Sequence, residues 1–260
     1  MAQFRHEMFT YDGINSRDYN LYICRTGTGE SRLFGADRTI KEEESNNFIP
    51  TFQGVKYNAP TIRITLVCAD SKGRVIPLDE ERCFAINKWL FQDEYKPFTS
   101  YDNKDILYYA IFTKGANYEI SRQKGYLELE MRLDSGCAYS NLIYHTYVVN
   151  GSKTVEVVNK TNIEKYSYPD VEFKILSGNS ITVRNDTLGI SMKFTNLPNN
   201  CHAYCYNEGL KHIVDKTNPD NNLRDKFNKV WLKTMYGANQ ITITGHCEIS
   251  IISQNKIAIQ

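Results

Sequence analysis

The stretch AINKWLFQDEYKPFTSYDNKDILYYAIF, residues 85–112, decides the fold, because it places one short helix in a chain that otherwise has the pattern of β-strands. Cys83, Ile86 and Leu90 recur at i, i+3 and i+7, the spacing of a helix with one buried stripe. Trp89 flanks that stripe. A lone helix between strands is not a catalytic signature, so it points first to a structural role.

The residues around this helix predict where it begins and ends. Asp79 can cap its first turn, and Glu80 and Glu81 lie where the helix dipole favours negative charge. Pro97 and the polar run at 99–105 are predicted to end the helix. An apolar strand is then expected at 106–112.

Composition excludes several classes of function. The 260 residues suffice for two domains of about 130 residues each, and 18 tyrosines with 12 phenylalanines favour strands over helical bundles. A formal net charge of +1 excludes a strong electrostatic attraction to nucleic acid or to an anionic membrane. The N-terminal MAQFRHEMFTYDG contains no apolar segment of signal-peptide length, so we expect synthesis and folding in a cytoplasm.

The first half of the chain predicts a sheet that carries the helix. An Asp-Gly turn after residues 8–11 indicates a hairpin. Alternating apolar and polar residues predict half-buried strands at 62–68 and 127–133. Residues 26–60 are less regular and are interpreted in part as a long loop or extended arm.

The second half predicts a β-sandwich, because many short strands alternate with turn signals. One helical turn is expected at 223–232. A domain boundary near residue 138 divides the chain into 1–138 and 139–260. The short strands are predicted at 144–149, 154–158, 171–176, 181–183, 190–194, 203–206, 241–244 and 248–252.

The strongest candidate for a metal site is Cys201, His202, Cys205 and His212. Structural zinc sites place paired ligands on a tight knuckle, whereas CHAYCY has the pattern of a strand. Four residues of strand span roughly 13 Å, too far for two sulfurs to reach one ion. We therefore expect two inward-facing core cysteines, no metal and no cofactor.

Two acidic clusters are candidates for catalytic carboxylates. Glu128 and Glu130 share a strand face about 6.6 Å apart, a separation found in glycosidases, but the alternation with leucines explains them as a solvated or interface face. The acidic run 42–44 has the character of a charged loop. The glycine-bearing segment 26–31 lacks the ending of a phosphate-binding loop. No enzyme activity is predicted.

Several segments in a fixed order carry a family resemblance. They are FTYDGINSRDYNLYI (9–23), FIPTFQGVKYNAPTIRITLV (48–67), the stretch 85–112 and GYLELEMRLDSGCAYS (125–140), followed by YPDVEFKI, NLPNN and FNKVWLKTMYGANQITITGHCEISI. Together they resemble the distal tail (Dit) proteins of long-tailed phages over nearly the whole chain. The chain departs from that family in the arm, where LFGADRTIKEEES replaces the glycine-rich loop of many members.

The resemblance implies a mainly β protein with a ring-forming, β-sandwich-like N-terminal domain and a galectin-like C-terminal β-sandwich. It implies a homohexamer at the tail tip with an opening through which DNA passes, and partners among the tail tube protein, the tail-tip or tail-associated protein and receptor-binding proteins. Neither membrane association nor specific nucleic-acid binding is expected. The predicted core or interface residues of the ring domain are Phe9, Tyr11, Gly13, Trp89, Phe91, Tyr108 and Tyr109.

A carbohydrate-binding module is the alternative, because galectin-like sandwiches can hold sugars against a tryptophan. The only tryptophan of the second half, Trp231, lies in an apolar-periodic segment and is expected to be buried. The tryptophan of the helix, Trp89, is expected to be core.

Overall fold

One α-helix, α1 (Glu80–Leu90), interrupts a succession of strands in the part of the chain that the structure describes. The structure is a computed structural model that describes residues 7–26, 38–43, 49–116, 125–209 and 211–258. Two units divide between Tyr139 and Ser140, and the second extends to Ile257. The predicted fold class, mainly β with one helix, is confirmed.

The first unit is built on a sheet with the strand order β2-β1-β7-β8-β9-β6-β3, and β4 and β5 form a separate two-stranded sheet. A short 3₁₀ helix spans Ser16–Tyr19. The strands are β1 (Phe9–Tyr11), β2 (Ile14–Asn15), β3 (Leu21–Thr26), β4 (Arg38–Glu43), β5 (Thr51–Tyr57), β6 (Thr61–Cys68), β7 (Lys96–Ser100), β8 (Ile106–Ala116), β9 (Tyr126–Leu133) and β10 (Cys137–Ser140).

Helix α1 begins where the sequence predicts. The Asp79 carboxylate accepts a hydrogen bond from the Arg82 backbone N–H at 2.8 Å, which satisfies one of the unpaired donors of the first turn. The face that includes Ile86 and Leu90 is buried, as the i, i+3, i+7 spacing predicts.

The predicted end of the helix is wrong. The helix stops at Leu90, and Pro97 lies inside β7, where it pairs with Tyr109 of β8. Proline is tolerated here because it lies near the start of the strand, before the first residue of β7 that pairs with β1, Phe98. The interpretation of residues 26–60 as a long loop or extended arm is also incomplete. The described part of this segment contains the two paired strands of the β4–β5 hairpin.

The second unit is a curled six-stranded sheet with the order β11-β18-β13-β15-β16, and β14 also pairs with β13. The expected helical turn at 223–232 is reduced to a 3₁₀ helix at Arg224–Lys226. The six strands of this sheet are β11 (Ile143–Asn159), β13 (Asp170–Asn185), β14 (Ile190–Phe194), β15 (His202–Tyr206), β16 (His212–Asp215) and β18 (Gly237–Ser253). Strands β12 (Tyr166–Ser167) and β17 (Thr234–Met235) pair with each other in a separate sheet, and β19 (Lys256–Ala258) follows β18 outside the six-stranded sheet.

Six of the short strands predicted in this half join in pairs in the structure and form three long strands. Strands β11, β13 and β18 have 17, 16 and 17 residues. Gly151 of β11 and Gly245 of β18 face each other across the ladder with φ of +91° and +147°. In β13 the register with β18 shifts between Ile175 and Thr182, at the same level of the sheet. The strands bend along this row, and so one sheet encloses its own core.

The core of the second unit draws residues from both sides of this row. Val149 and Val155 lie on either side of Gly151 in β11, and both are buried in one cluster. Phe173 stacks at an angle on Phe194, with ring centroids 5.1 Å apart, which joins β13 to β14. The curl therefore supplies the two layers that a sandwich requires.

We expect Gly245→Ala to destabilise the second unit by about 1–3 kcal/mol. A β-carbon here would stand 3.1 Å from the Ser180 carbonyl oxygen, and φ of +147° is strained for any side chain. Gly189→Asn is the matched control, because Gly189 has φ of +65°, which asparagine adopts readily, and open space around it. Urea unfolding followed by circular dichroism measures the free energy of unfolding of both variants. Equal losses of stability would contradict a bend at Gly245.

Candidate functional site

An aromatic stack fastens the helix to the sheet in the first unit. The Trp89 ring stacks on Tyr19 and on Phe9, with centroids 4.6 Å and 5.7 Å away and planes within 4° and 9° of parallel. Phe9 in turn stacks on Phe98 at 5.2 Å. Parallel rings at these distances add stabilisation beyond the area they bury.

Hydrogen bonds fix the orientation of this stack. The Trp89 Nε1–H donates to the Tyr11 carbonyl oxygen at 3.0 Å, and the Tyr11 hydroxyl donates to the Ala110 carbonyl oxygen at 3.3 Å. Burial, with a smaller contribution from the Asp12 charge, raises the pKa of Tyr11 to about 12. The hydroxyl is thus a neutral donor that links β1 to β8.

The other predicted site residues lie around this core. Gly13 and Asp12 form the turn after β1 with φ of +75° and +52°, the positive values of a type I′ hairpin. Phe91 is 37% exposed. Tyr108 is half-buried against the core, and Tyr109 contacts the Tyr139 ring edge-on at 5.2 Å. The structure thus brings together Phe9, Tyr11 and Trp89, and the interface role of the set stays a prediction.

The β4–β5 hairpin has exposed apolar side chains. Ile40 of β4 lies opposite Val55 of β5, and Tyr57 lies two residues further along the same face. Their exposed fractions are 60%, 42% and 42%. These three residues are named the hairpin face.

The hairpin contacts the rest of the first unit at a tight junction. A β-carbon on Gly136 would stand 3.0 Å from the Asn58 carbonyl oxygen and 3.0 Å from Tyr57 Cβ, so the backbones lie close there. Beyond that point the described strand residues are exposed or half-buried. Sequence reasoning missed β5, although Phe52, Val55 and Tyr57 signalled apolar content in the arm.

The candidate metal ligands do not converge. Cys201 and Cys205 are buried in the core, where burial, with a smaller contribution from Asp215, raises the pKa of the Cys201 thiol to about 11. His202 Nε2 lies 2.8 Å from Glu172 Oε1, and His212 is exposed on β16. Within the described ranges, no group of three or more histidine, cysteine or acidic side chains could hold a metal ion.

Glu172 is the centre of a charged cluster on the outer side of β13. Burial alone would raise the pKa of its carboxyl, but hydrogen bonds from Lys216 and His202 outweigh burial and hold that pKa below its ordinary value. Lys216 Nζ lies 2.5 Å from the carboxylate and 5.0 Å from the centre of the Tyr204 ring. Since its groups bond to one another, this cluster stabilises the surface between β13 and β15.

Three aromatic rings of the second unit are engaged within the chain. Trp231 is half-buried and packs edge-on against Phe227, with centroids 4.8 Å apart. Lysine ammonium groups lie over Tyr166 and Tyr168, at 4.3 Å for Lys233 and 5.7 Å for Lys211. These contacts favour packing over sugar stacking at the three rings.

The remaining candidate clusters have structural explanations or lie outside the description. Glu130 forms an ion pair with Arg63 at 3.2 Å across the β6–β9 ladder. Glu128 belongs to the same ladder, opposite Thr65. The glycine-bearing segment at 27–31 and Glu44 lie outside the described residues. No described helix has the length and apolar content needed to cross a bilayer.

We expect Trp89→Ala to lower the free energy of unfolding of the first unit by about 3–5 kcal/mol, since it empties a core site and leaves the Tyr11 carbonyl oxygen without this donor. Phe91→Ala, two residues on and 37% exposed, should cost no more than about 1 kcal/mol. Urea titrations of both variants measure the difference. Similar midpoints would refute the anchoring role of Trp89.

The Glu172 cluster should make stability depend on pH. Its folded-state pKa lies below the ordinary 4.5, so the stabilisation is present above the unfolded-state pKa and is lost as pH falls through the folded value. The difference in urea midpoint between the wild type and Glu172→Gln should therefore narrow below about pH 4. Glu156→Gln is the control, because Glu156 accepts from the neutral Gln240 amide; equal narrowing in both would argue against the cluster.

Comparison with known sequences assigns both halves of the chain. A family described as phage tail protein N-terminal domain matches residues 4–135, and one described as phage tail C-terminal domain matches residues 137–253. The SPbeta prophage-derived uncharacterized protein YomH of Bacillus subtilis (strain 168) is 27% identical over 251 residues, covering 94% of this chain and 95% of YomH.

Solved structures share the fold. The SPP1 Dit (gp 19.1) protein, titled a paradigm of hub adsorption apparatus in Gram-positive infecting phages, matches with a TM-score of 0.65 and 12% identity over 95% of this chain and 98% of its own. A chain of the phage P2 baseplate in its activated conformation with Ca matches with a TM-score of 0.52 and 11% identity, over 96% and 98%. The resemblance to distal tail proteins is confirmed at the level of the fold, and the matched domain models show that this chain belongs to the phage tail protein family.

Proposed function

We propose that six copies of this chain form a homohexameric ring, the hub of a phage tail tip. This ring would join the tail tube protein to the tail-tip or tail-associated proteins and to receptor-binding proteins. The observation that carries the proposal is the fold match to SPP1 Dit, which spans 95% of this chain and both of its halves. The solved P2 baseplate, whose chain shares the fold, supports a place among other tail proteins.

The two halves would divide the work of the hub. We assign ring formation to residues 1–138 and the attachment of outer tail components to the galectin-like sandwich of residues 139–260. The charged surface around Glu172, with Lys216 and His202, is already paired within the chain. Such a surface suits a structural connector more than a catalyst.

The hairpin face offers a physical reason for copies of the chain to assemble into a ring. A two-stranded sheet is marginally stable alone in water, and Ile40 and Val55 expose apolar surface on one side of it. Burying this face against a neighbouring copy would stabilise both the hairpin and the ring. Gly136 lies close to Tyr57 and Asn58 at the base of the hairpin, and the hairpin face on the two strands stays open to the neighbour.

The opening of the ring would let DNA pass without holding it. A formal net charge of +1 over 260 residues offers few counter-charges for phosphates, and strong DNA binding requires many. The protein would be made and assembled in the cytoplasm of the host bacterium and would act in the virion tail as a structural part, without catalysis.

The ring is tested by Val55→Glu, which puts a charge into the hairpin face. We expect light scattering to give the wild type a mass of six copies or a multiple of six, and the variant a lower mass, because burying an unpaired carboxylate against a neighbour is costly. Val55→Ile, which keeps the face apolar, should retain the wild-type mass.

A wild-type protein that remains a monomer and binds to a glycan array would contradict the hub and favour the carbohydrate-binding alternative. If Val55→Glu and Val55→Ile have equal masses, the hairpin face does not lie in the ring interface.

A further inference from the structure

Strand β11 presents a long backbone edge in the second unit. It lies at one end of the sheet and pairs with β18 along all 17 of its residues without a register shift. No other strand in the described part of the chain pairs with its opposite side. In an antiparallel ladder about half of the N–H and C=O groups of an end strand point away from its partner. This edge can therefore accept another strand.

The other ends of the same sheet are covered or short. The backbone N–H of Asn228 donates to the Lys193 carbonyl oxygen at 3.0 Å, and the Lys193 N–H donates to Asn228 Oδ1 at 3.0 Å, so a neighbouring segment occupies the edge of β14. Strand β16 has only four residues. Folds normally protect long strand edges against pairing with another chain. The long, uncovered edge of β11 is therefore the exception in this sheet.

The side chains of β11 do little to prevent pairing. Tyr144 and Val148 are 60% and 63% exposed on the outer side, and the strand contains no proline. Its lysine, Lys153, directs its ammonium group over the Tyr147 ring of the same strand at 4.9 Å. Charged residues and prolines are the usual blocks on an edge, so this edge is weakly guarded.

The bend of β11 restricts what can pair with it. Gly151 lies at the midpoint of Ile143–Asn159 and faces Gly245, where the sheet curls. An added strand must bend at the same level to keep its hydrogen bonds. A second copy of β11, laid antiparallel with Gly151 opposite Gly151, meets this requirement because the bend then lies on the two-fold axis.

We propose that β11 is a homotypic contact, in which two copies of the chain pair their β11 strands antiparallel about a two-fold axis at Gly151. This register sets Tyr144 opposite Val158 and Tyr147 opposite Val155 of the second copy, pairs of aromatic and β-branched residues that stabilise sheets.

The same register avoids electrostatic conflict. Lys153 would face Val149 of the second copy, and Glu156 would face Thr146. Like charges directly opposite would be destabilising. The contact goes beyond the ring and does not depend on it, because it uses only residues of the second unit; it would join two rings or two single chains.

Light scattering of the full-length protein over a range of concentrations tests the contact. In this register residue 148 lies opposite residue 154 of the second copy. Val148→Lys with Thr154→Lys places lysines face to face, so we expect half the wild-type mass. Val148→Lys with Thr154→Glu places opposite charges there and should restore the mass. Equal masses in the three proteins would overturn the proposal.

A cross-link tests the register itself. Tyr144→Cys with Val158→Cys should form covalent dimers on oxidation, since the two positions meet only between copies. Within one copy both positions lie on the outer side of the curled strand, seven residues to either side of Gly151, and so their side chains point apart. Tyr144→Cys alone is the control and accounts for the exposed Cys24. A double variant that cross-links no more than this control would also overturn the proposal.

Discussion

The constraint on which the second unit depends is that a sheet buries one face only, unless it curls around its own core. Three strands of 16 or 17 residues are too long to stay flat over so small a core. Gly151 and Gly245, side by side in the ladder, allow the backbone to bend there, and Val149 and Val155 reach the same core from either side. One sheet thereby supplies both layers, and its curvature carries over to the edge strand β11.

The first unit solves the same problem differently, by covering its sheet with a helix. Trp89 fills the space between α1 and the sheet and stacks on Phe9 and Tyr19, and its indole N–H holds the Tyr11 carbonyl oxygen. A core fastened this way can carry an extension that contributes nothing to it. The β4–β5 hairpin is such an extension, and in the proposed hub its exposed apolar face would be covered by a neighbouring copy.

Local sequence signals predicted the features that depend on near neighbours. Asp79 with a buried stripe predicted α1, and leucines alternating with charged residues predicted β9. The sequence pattern predicted β11 as two short strands because Asn150-Gly151 is a strong hairpin signal, and only the neighbouring strand decides whether the chain bends or reverses there. Pro97 concealed β7 for the same reason. Whether a proline is tolerated at this position of a strand depends on where the neighbouring strand β1 ends. The hairpin face has no core partner within the described residues that a periodic pattern could reveal.

In the proposed hub, copies of this chain assemble through the hairpin. Electron cryomicroscopy of the purified full-length protein tests it most directly. We expect six-fold particles in which Ile40 and Val55 of each copy are covered by the adjacent protomer. Particles without six-fold symmetry, or a ring in which the hairpin faces solvent, would contradict it.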